Sequence, residues 1–404
     1  MDLNKIFKSV VYKTLAGVDL VIGVSHQHEI NGTQPLRDFF ETDERISGTI
    51  TWHLFSDNDE TITQVGDFTF YDARARSFER TGRSEWRLYY SGEFFERATI
   101  GDLLILVKTV TNDIHGLVFQ NGSNWQRIAA KLFNLRDISI DAAQLTKDEL
   151  SKNEIEYSKR RIIDELGIEY ELSFSENEES IAKRLLDEAN KSGIPFPRTR
   201  TVSDFARKQV KEDGKFLDDI LVAWLDKEER IFYAMERILV QKKLADGFDS
   251  VDDFISYSLQ VQNRRKSRMG YSFQNHLEVI FQKNGLKFES QKITEGKNKP
   301  DFIFPGIKEY KDEGYPSERL AMLASKSSCK ERWAQILTEA ARIPDKHLCT
   351  LDQTITTDQI RKISSEHIKL VIPESLQATY TDEQKRGIWK LSNFVDYIKT
   401  LQIM

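Results

Sequence analysis

Three charged residues within the stretch 300–339 have the types that phosphodiester hydrolysis needs: Asp301, Lys326 and Glu339. Two carboxylates can offer hard oxygen ligands to a doubly charged cation such as Mg²⁺, and a lysine beside them steadies the charge that builds on phosphorus. Asp301 heads the apolar run Phe302-Ile-Phe304 behind Pro300, which predicts a buried strand with the carboxylate at its mouth. Leu320-Ala-Met-Leu-Ala-Ser-Lys326 predicts a second buried strand, with Ala324 and Lys326 on one face. Ser327-Ser328 are placed to cap a following helix that carries Lys330, Glu331 and Arg332 and, two turns beyond Arg332 on the same face, Glu339.

In the common nuclease motif PD-(D/E)xK an acid stands two residues before the lysine. That place holds Ala324 here, and Glu339, separated from Lys326 by twelve residues, can supply the missing carboxylate. The spacing resembles the EcoRII branch of restriction endonucleases, in which the acid has moved to the neighbouring helix. Four blocks in the same order carry the resemblance: Asn263-Arg-Arg-Lys-Ser-Arg268, His276-Leu-Glu278, Thr294-Glu-Gly-Lys-Asn-Lys-Pro-Asp-Phe302 and Ser328-Cys-Lys-Glu-Arg-Trp333. Together they cover most of residues 195–400.

The resemblance implies a Mg²⁺-dependent α/β catalytic core of the restriction-endonuclease type at 195–404. Asp301, Lys326 and Glu339 would be its catalytic set, with Tyr310 matching a tyrosine that lines the same region. Asp301 and Glu339 would hold the metal, and Glu278 would complete a second metal position or orient a ligand. Lys330-Glu331-Arg332 matches the module that reads paired C:G base pairs in relatives recognising CCGG, CC-N-GG or CC-A/T-GG. Lysine and arginine donate to guanine O6 and N7 while a carboxylate accepts from cytosine N4. Solvated helix-surface charges are the alternative. The basic run from Gln262 to Gly270 predicts a turn before a helix at Ser272–Gln282, with Arg264, Arg265 and Arg268 on phosphates, or else merely solvated. His276 and the stripe of apolar residues on Phe216–Lys243 read as packing.

Residues 1–140 read differently. Short apolar runs alternate with turn signals at Val18–Val24, Ile46–Phe55, Gly66–Tyr71, Trp86–Tyr90, Asp102–Val107 and Gly116–Phe119, which predicts an all-β, barrel-like domain. Five arginines crowd the stretch Asp72–Arg87, either a solvated hairpin or a surface for phosphates and guanine edges. This segment is similar to the recognition loop of the EcoRII-type effector domain, a DNA-binding pseudobarrel, which implies contacts from Arg80, Arg83, Glu85 and Arg87, with His26 in a second loop. Charged helical patterns at 141–194 read as a connector, closed by Ser192-Gly-Ile-Pro-Phe-Pro197.

The net charge of −6 leaves room for a basic cleft on an acidic body. Two cysteines offer neither a zinc spacing nor a disulfide framework, and no run suits a leader peptide or a membrane span, so a cytoplasmic protein is expected. Together these readings predict a homodimeric type II restriction endonuclease acting on double-stranded DNA with a CC/GG core, possessing an N-terminal effector domain. The alternatives are a repair or modification-dependent nuclease of the same core, and a DNA-binding repressor whose nuclease core is dead.

Overall fold

The computed structural model describes residues 3–20, 29–57, 61–75, 78, 82–91, 94–135, 143–145, 157–168, 172 and 174–403. They divide into two units, Met1–Glu171 and Leu172–Met404.

The first unit is built on strands β1 Phe7–Thr14, β2 Glu29–Asn31, β3 Ile46–Phe55, β4 Ile62–Asp72, β5 Trp86–Tyr90, β6 Leu103–Thr109, β7 Ile114–Phe119 and β8 Ala143–Gln144. They form one sheet in the order β2-β5-β4-β3-β7-β6-β1-β8, antiparallel except for the β3–β7 pair. Alternation sorts the side chains: Val10, Ile105 and Leu117 enter a cluster with Ile128 and Leu132, while Val11, Leu104 and Val118 enter another with Ile30, Phe70 and Leu88. β1 is absent from the runs expected above because Lys8, Ser9 and Lys13 interrupt its apolar pattern. Lys13 is nonetheless buried, its ammonium 2.7 Å from Asp19 Oδ1. Asp19 also accepts from the backbone N–H of Ala16 at 2.8 Å. It thereby fixes a helical turn, Gly17–Leu20, where a strand Val18–Val24 was expected; residues 21–24 lie outside the described residues.

The expected connector is divided. The helix Tyr157–Glu165 packs Ile162 and Ile163 into the core of the first unit, and the helix Glu176–Lys191 packs Ile181, Leu185 and Leu186 against Ile231 and Met235 in the second.

The second unit carries β9 Glu289–Ser290, β10 Phe302–Phe304, β11 Ala321–Lys326, β12 Lys346–Thr350, β13 Ile368–Val371 and β14 Ile388–Trp389, in the order β14-β13-β12-β11-β10-β9. The sheet is mixed: β9, β10 and β11 run antiparallel to one another, and β11 to β14 are parallel. Helices Thr199–Gln209, Leu217–Asp246, Val251–Lys283, Thr357–Ser365 and Leu391–Ile403 accompany it. Asp218, at the start of the second of these, is buried and accepts from the backbone N–H groups of Leu391 at 2.8 Å, Ser392 at 3.1 Å and Glu374 at 3.0 Å. One carboxylate thus caps the last of these helices. Val251–Lys283 is continuous, so the basic run 262–270 lies inside a helix and not in a turn before one. Ser250 caps that helix through the N–H of Asp253, and no proline follows to interrupt it. Among the described residues no helix is long and apolar enough to cross a membrane.

Candidate active site

β10 and β11 pair antiparallel with Phe302 opposite Leu323, which sets Asp301 beside the end of β11 that bears Ser325 and Lys326. Asp301 Oδ2 accepts from the backbone N–H of Ser325 at 2.7 Å and from its hydroxyl at 3.0 Å, and Oδ1 accepts from Gln291 Nε2 at 2.7 Å. The Lys326 ammonium stands 3.8 Å from Asp301 Oδ2. The two groups face each other across the strand ends, half-open to solvent.

Glu339 arrives by a different route from the one expected. Residues Lys330–Thr338 form a 3₁₀ helix, and Glu339 is its C-terminal cap residue. Asp352 takes the place expected for the serines: its Oδ2 accepts the N–H of Cys329 at 2.8 Å, at the start of that helix. A 3₁₀ helix repeats every three residues, so Glu339 follows the positions of Trp333 and Ile336, not that of Arg332. The carboxylate still lies within electrostatic range of the pair: Lys326 and Asp301 are among the charges that act on it. Burial pushes its pKa up to about 7, Asp301 adds to the rise, and Lys326 and Lys346 oppose it. Glu339 Oε2 is buried without a hydrogen-bond partner.

A buried, orphaned oxygen on half-buried Glu339, within electrostatic range of a second carboxylate, fits a hard divalent cation such as Mg²⁺. Among the described residues no three His, Cys, Asp or Glu side chains gather as a metal cage. Two carboxylates with water completing the shell is the arrangement these residues allow.

Glu278 is not brought to the pair. It lies on the helix Val251–Lys283, 3.4 Å from Arg200 Nη2. Tyr310 is buried; its hydroxyl donates to Glu295 Oε1 and accepts from the N–H of Arg342 at 3.2 Å. Its hydroxyl is committed to supporting neighbours. Glu295, inside the block 294–302, and Lys346 belong to this surround, and sequence reasoning assigned neither a role. Lys346 is a buried ammonium whose charge acts on Glu339 and whose own pKa burial lowers, against the pull of Glu295 and Glu339.

The basic run divides by helix face. Arg268 is turned inward, 4.0 Å from Glu228, 3.9 Å from Glu229 and over the ring of Phe232, so it is a core residue and not a phosphate contact. Positions 264 and 268 are one helical turn apart and share a face, which explains why the sequence run did not stay together on the surface. Arg264 lies over Phe196, and Arg265, half-exposed, donates to Glu236 at 2.6 Å. His276 is fully buried between Arg207, 3.0 Å from Nδ1, and Glu228, 2.8 Å from Nε2. The side chains of Lys330, Glu331 and Arg332 lie outside the description; their backbone opens the 3₁₀ helix.

In the first unit His26 and Arg80 lie outside the described residues. Arg83 is exposed, beside Gly82 in a left-handed turn. Glu85 accepts from Arg74 Nε at 2.5 Å and from Arg87, whose guanidinium holds its carboxyl below the usual range. Arg74, one of the five arginines of this stretch, is thereby paired within the loop. Asp72 accepts the N–H groups of Arg74 and Glu85, both at 2.8 Å, and so closes the loop at its base. Arg87 lies opposite both Asn31 and Tyr71 across β2, β5 and β4. Trp86 faces the other way, stacked 5.0 Å from Phe70 in the core.

Residues 232–395 match the family model described as EcoRII C terminal. Over 203 residues the chain is 38% identical to the type II restriction enzyme EcoRII of Escherichia coli, a stretch making up 50% of this chain and 50% of that protein. The chain spans about half the length of the curated relative it matches. Among solved structures, metal-depleted Ecl18kI in complex with uncleaved, modified DNA aligns with 17% identity and a TM-score of 0.44, over 55% of this chain and 83% of that one. The PspGI–substrate DNA complex aligns with 19% identity and a TM-score of 0.39, over 55% and 92%. The matched segment is EcoRII-like, and it contains Asp301, Lys326 and Glu339.

Proposed function

We propose, from the EcoRII-like character of residues 232–395, that this chain is a type II restriction endonuclease. It cuts double-stranded DNA at a short palindromic site with a CC/GG core, as a homodimer in the cytoplasm. The observation that carries the reading is the meeting of Asp301, Lys326 and Glu339, with an unpartnered carboxylate oxygen on Glu339. Asp301 and Glu339 would hold a divalent cation, Mg²⁺, which when bound would supply an activated water and charge neutralisation at the phosphate. Ser325 and Gln291 orient Asp301 through the hydrogen bonds described. Lys326 places its ammonium where charge develops on the scissile phosphate. Lys330, Glu331 and Arg332 read the C:G pairs, and a two-fold assembly matches a two-fold site.

The first unit serves as an effector domain of pseudobarrel form that binds a second DNA copy through Arg83, Arg87 and the loop they flank. Support comes from its apolar cluster, which joins strands from both ends of the sheet order, β2 and β5 with β1 and β6, as a curling sheet requires. The exposed Arg83 and the paired Arg74 and Arg87 suit phosphate oxygens and guanine edges.

The test is to incubate the protein with a plasmid of known sequence in Mg²⁺ or in chelator and to map the ends. Discrete Mg²⁺-dependent ends at one short palindrome support the reading. Cleavage confined to methylated DNA would move the chain to the modification-dependent class, and sequence-specific binding with no cleavage would make it a repressor.

A further inference from the structure

Lys346 is the second lysine at this site, and no motif singles it out. It opens β12, the strand beside the one that carries Lys326, and is 6% exposed. Its ammonium donates to three backbone carbonyls: Glu339 at 2.7 Å, Ile343 at 2.8 Å and Ala340 at 3.1 Å. An ammonium has three protons, so this one is fully satisfied without any carboxylate. The carbonyls belong to the turn that leaves the 3₁₀ helix, where Ala340 sits at φ 50, in the left-handed region that a side chain makes unfavourable. Within that turn the N–H of Glu339 reaches only back to Ile336, and that of Ile343 only to Ala340. Both bonds are local. Asn298 donates to the Thr338 carbonyl at 2.7 Å, and Arg342 reaches the Tyr310 hydroxyl at 3.2 Å and the carbonyls of Asp312 and Tyr315, all of them outside the strands. The hydrogen bonds from a strand side chain to the turn come from Lys346.

We infer that Lys346 is a positioning residue: by drawing the carbonyls of 339, 340 and 343 onto the central strand, it holds the backbone of Glu339 and aims its carboxylate at Asp301, so that the divalent-cation site is formed before the cation arrives. A buried ammonium held by a ring of carbonyls is costly to build and loses its function if one partner shifts, which suits a residue that fixes geometry. The inference rests on the proposal that Asp301 and Glu339 hold the cation.

The experiment uses the full chain and three variants, Lys346→Met, Lys346→Arg and Glu339→Gln. Mn²⁺ alone is titrated by calorimetry without DNA, and kcat and KM are measured on a plasmid carrying a mapped site. Lys346→Met should weaken Mn²⁺ about tenfold and lower kcat about tenfold, with KM for DNA within about twofold of wild type, since the residue touches no DNA. Lys346→Arg keeps the charge, but a planar fork cannot converge on three carbonyls, and it should lose about threefold in both. A folded methionine variant that binds Mn²⁺ and turns over like wild type overturns the inference. Should circular dichroism show that variant unfolded, the arginine variant decides: wild-type Mn²⁺ affinity and kcat in it overturn the inference too. If wild type binds no Mn²⁺, the metal reading itself fails and the role of Lys346 falls with it. Loss of Mn²⁺ in Glu339→Gln but not in a folded Lys346→Met leaves the metal reading standing and removes only the positioning role.

Discussion

Ser325 gives both of its donors to a single oxygen of Asp301, the backbone N–H at 2.7 Å and the hydroxyl at 3.0 Å. The strand that carries Lys326 therefore also aims the carboxylate opposite it. Lys326→Ala and Asp301→Ala should each abolish cleavage while specific binding persists. Ser325→Ala loses one hydrogen bond to a charged acceptor, ~1.5 kcal/mol, and should slow cleavage about tenfold. Plasmid nicking and gel shift on the same preparations check this; undiminished cleavage by Lys326→Ala would remove that lysine from the site.

Glu339 carries a pH dependence of known sign. Its pKa is raised from 4.5 to about 7, so the folded protein binds a proton there that the unfolded chain releases. Stability should fall as pH rises from about 4.5 to about 7 in chelator, and Glu339→Gln should remove that component. His53 and His347, buried and lowered to about 4, act oppositely: their contribution is lost as pH falls from 6.5 toward 4. Thermal unfolding of wild type minus Glu339→Gln isolates the carboxylate. A difference that does not change with pH would mean that Glu339 is ionised at ordinary cost.

If Arg332 grips a base bidentately in each half-site, as proposed, Arg332→Ala should cost ~1–3 kcal/mol of discrimination there, with little change on random DNA. Competition gel shifts measure it. Equal weakening on specific and random DNA would make Arg332 a phosphate contact.

Glu228 and His276 are both fully buried, 2.8 Å apart, with Arg207 on the other imidazole nitrogen. His276→Leu leaves the carboxylate facing Arg268 at 4.0 Å, and should destabilise the second unit by about 3 kcal/mol in urea unfolding. A loss under about 1 kcal/mol would show that Arg268 alone suffices.

The place to cut the chain follows from Glu178. Burial works against its ionisation, yet hydrogen bonds from Arg230 hold its pKa down to about 2. A fragment starting at 194, where the Gly-Ile-Pro signal falls, would discard Glu178, leave Arg230 without it, and lose Ile181, Leu185 and Leu186. It should be less stable by about 5 kcal/mol than a fragment 172–404. If the first unit restrains cleavage, 172–404 should cut one-site plasmid faster than the full chain; equal rates would leave that unit as a simple second reader.

Much of the second unit was legible because its signals were local: β10 and β11 follow from short apolar runs. Asp301 and Lys326 come within 3.8 Å because both expected strands form, and Glu339 was singled out by residue type, since few types can hold a hard cation. β1 was hidden because a buried lysine looks like a surface signal until its partner Asp19 is seen. The basic run misled for the opposite reason, since its charges looked like one patch and helical geometry sends Arg268 into the core. Lys346 left no trace, because the groups that satisfy it are backbone carbonyls, which every residue has.

Asp218 also has a meaning in time. It leaves the ribosome 173 residues before Leu391 (391 − 218), whose N–H it must receive, together with that of Ser392. At a synthesis rate of about 5–20 residues per second, the nascent chain spends roughly 10–30 s with that carboxylate unsheltered. During that interval the helix Leu217–Asp246 lacks the neighbour it is built to hold, and a chain released early keeps an unpaired charge where packing should be. The second unit thus completes its packing only once the helix Leu391–Ile403 has emerged.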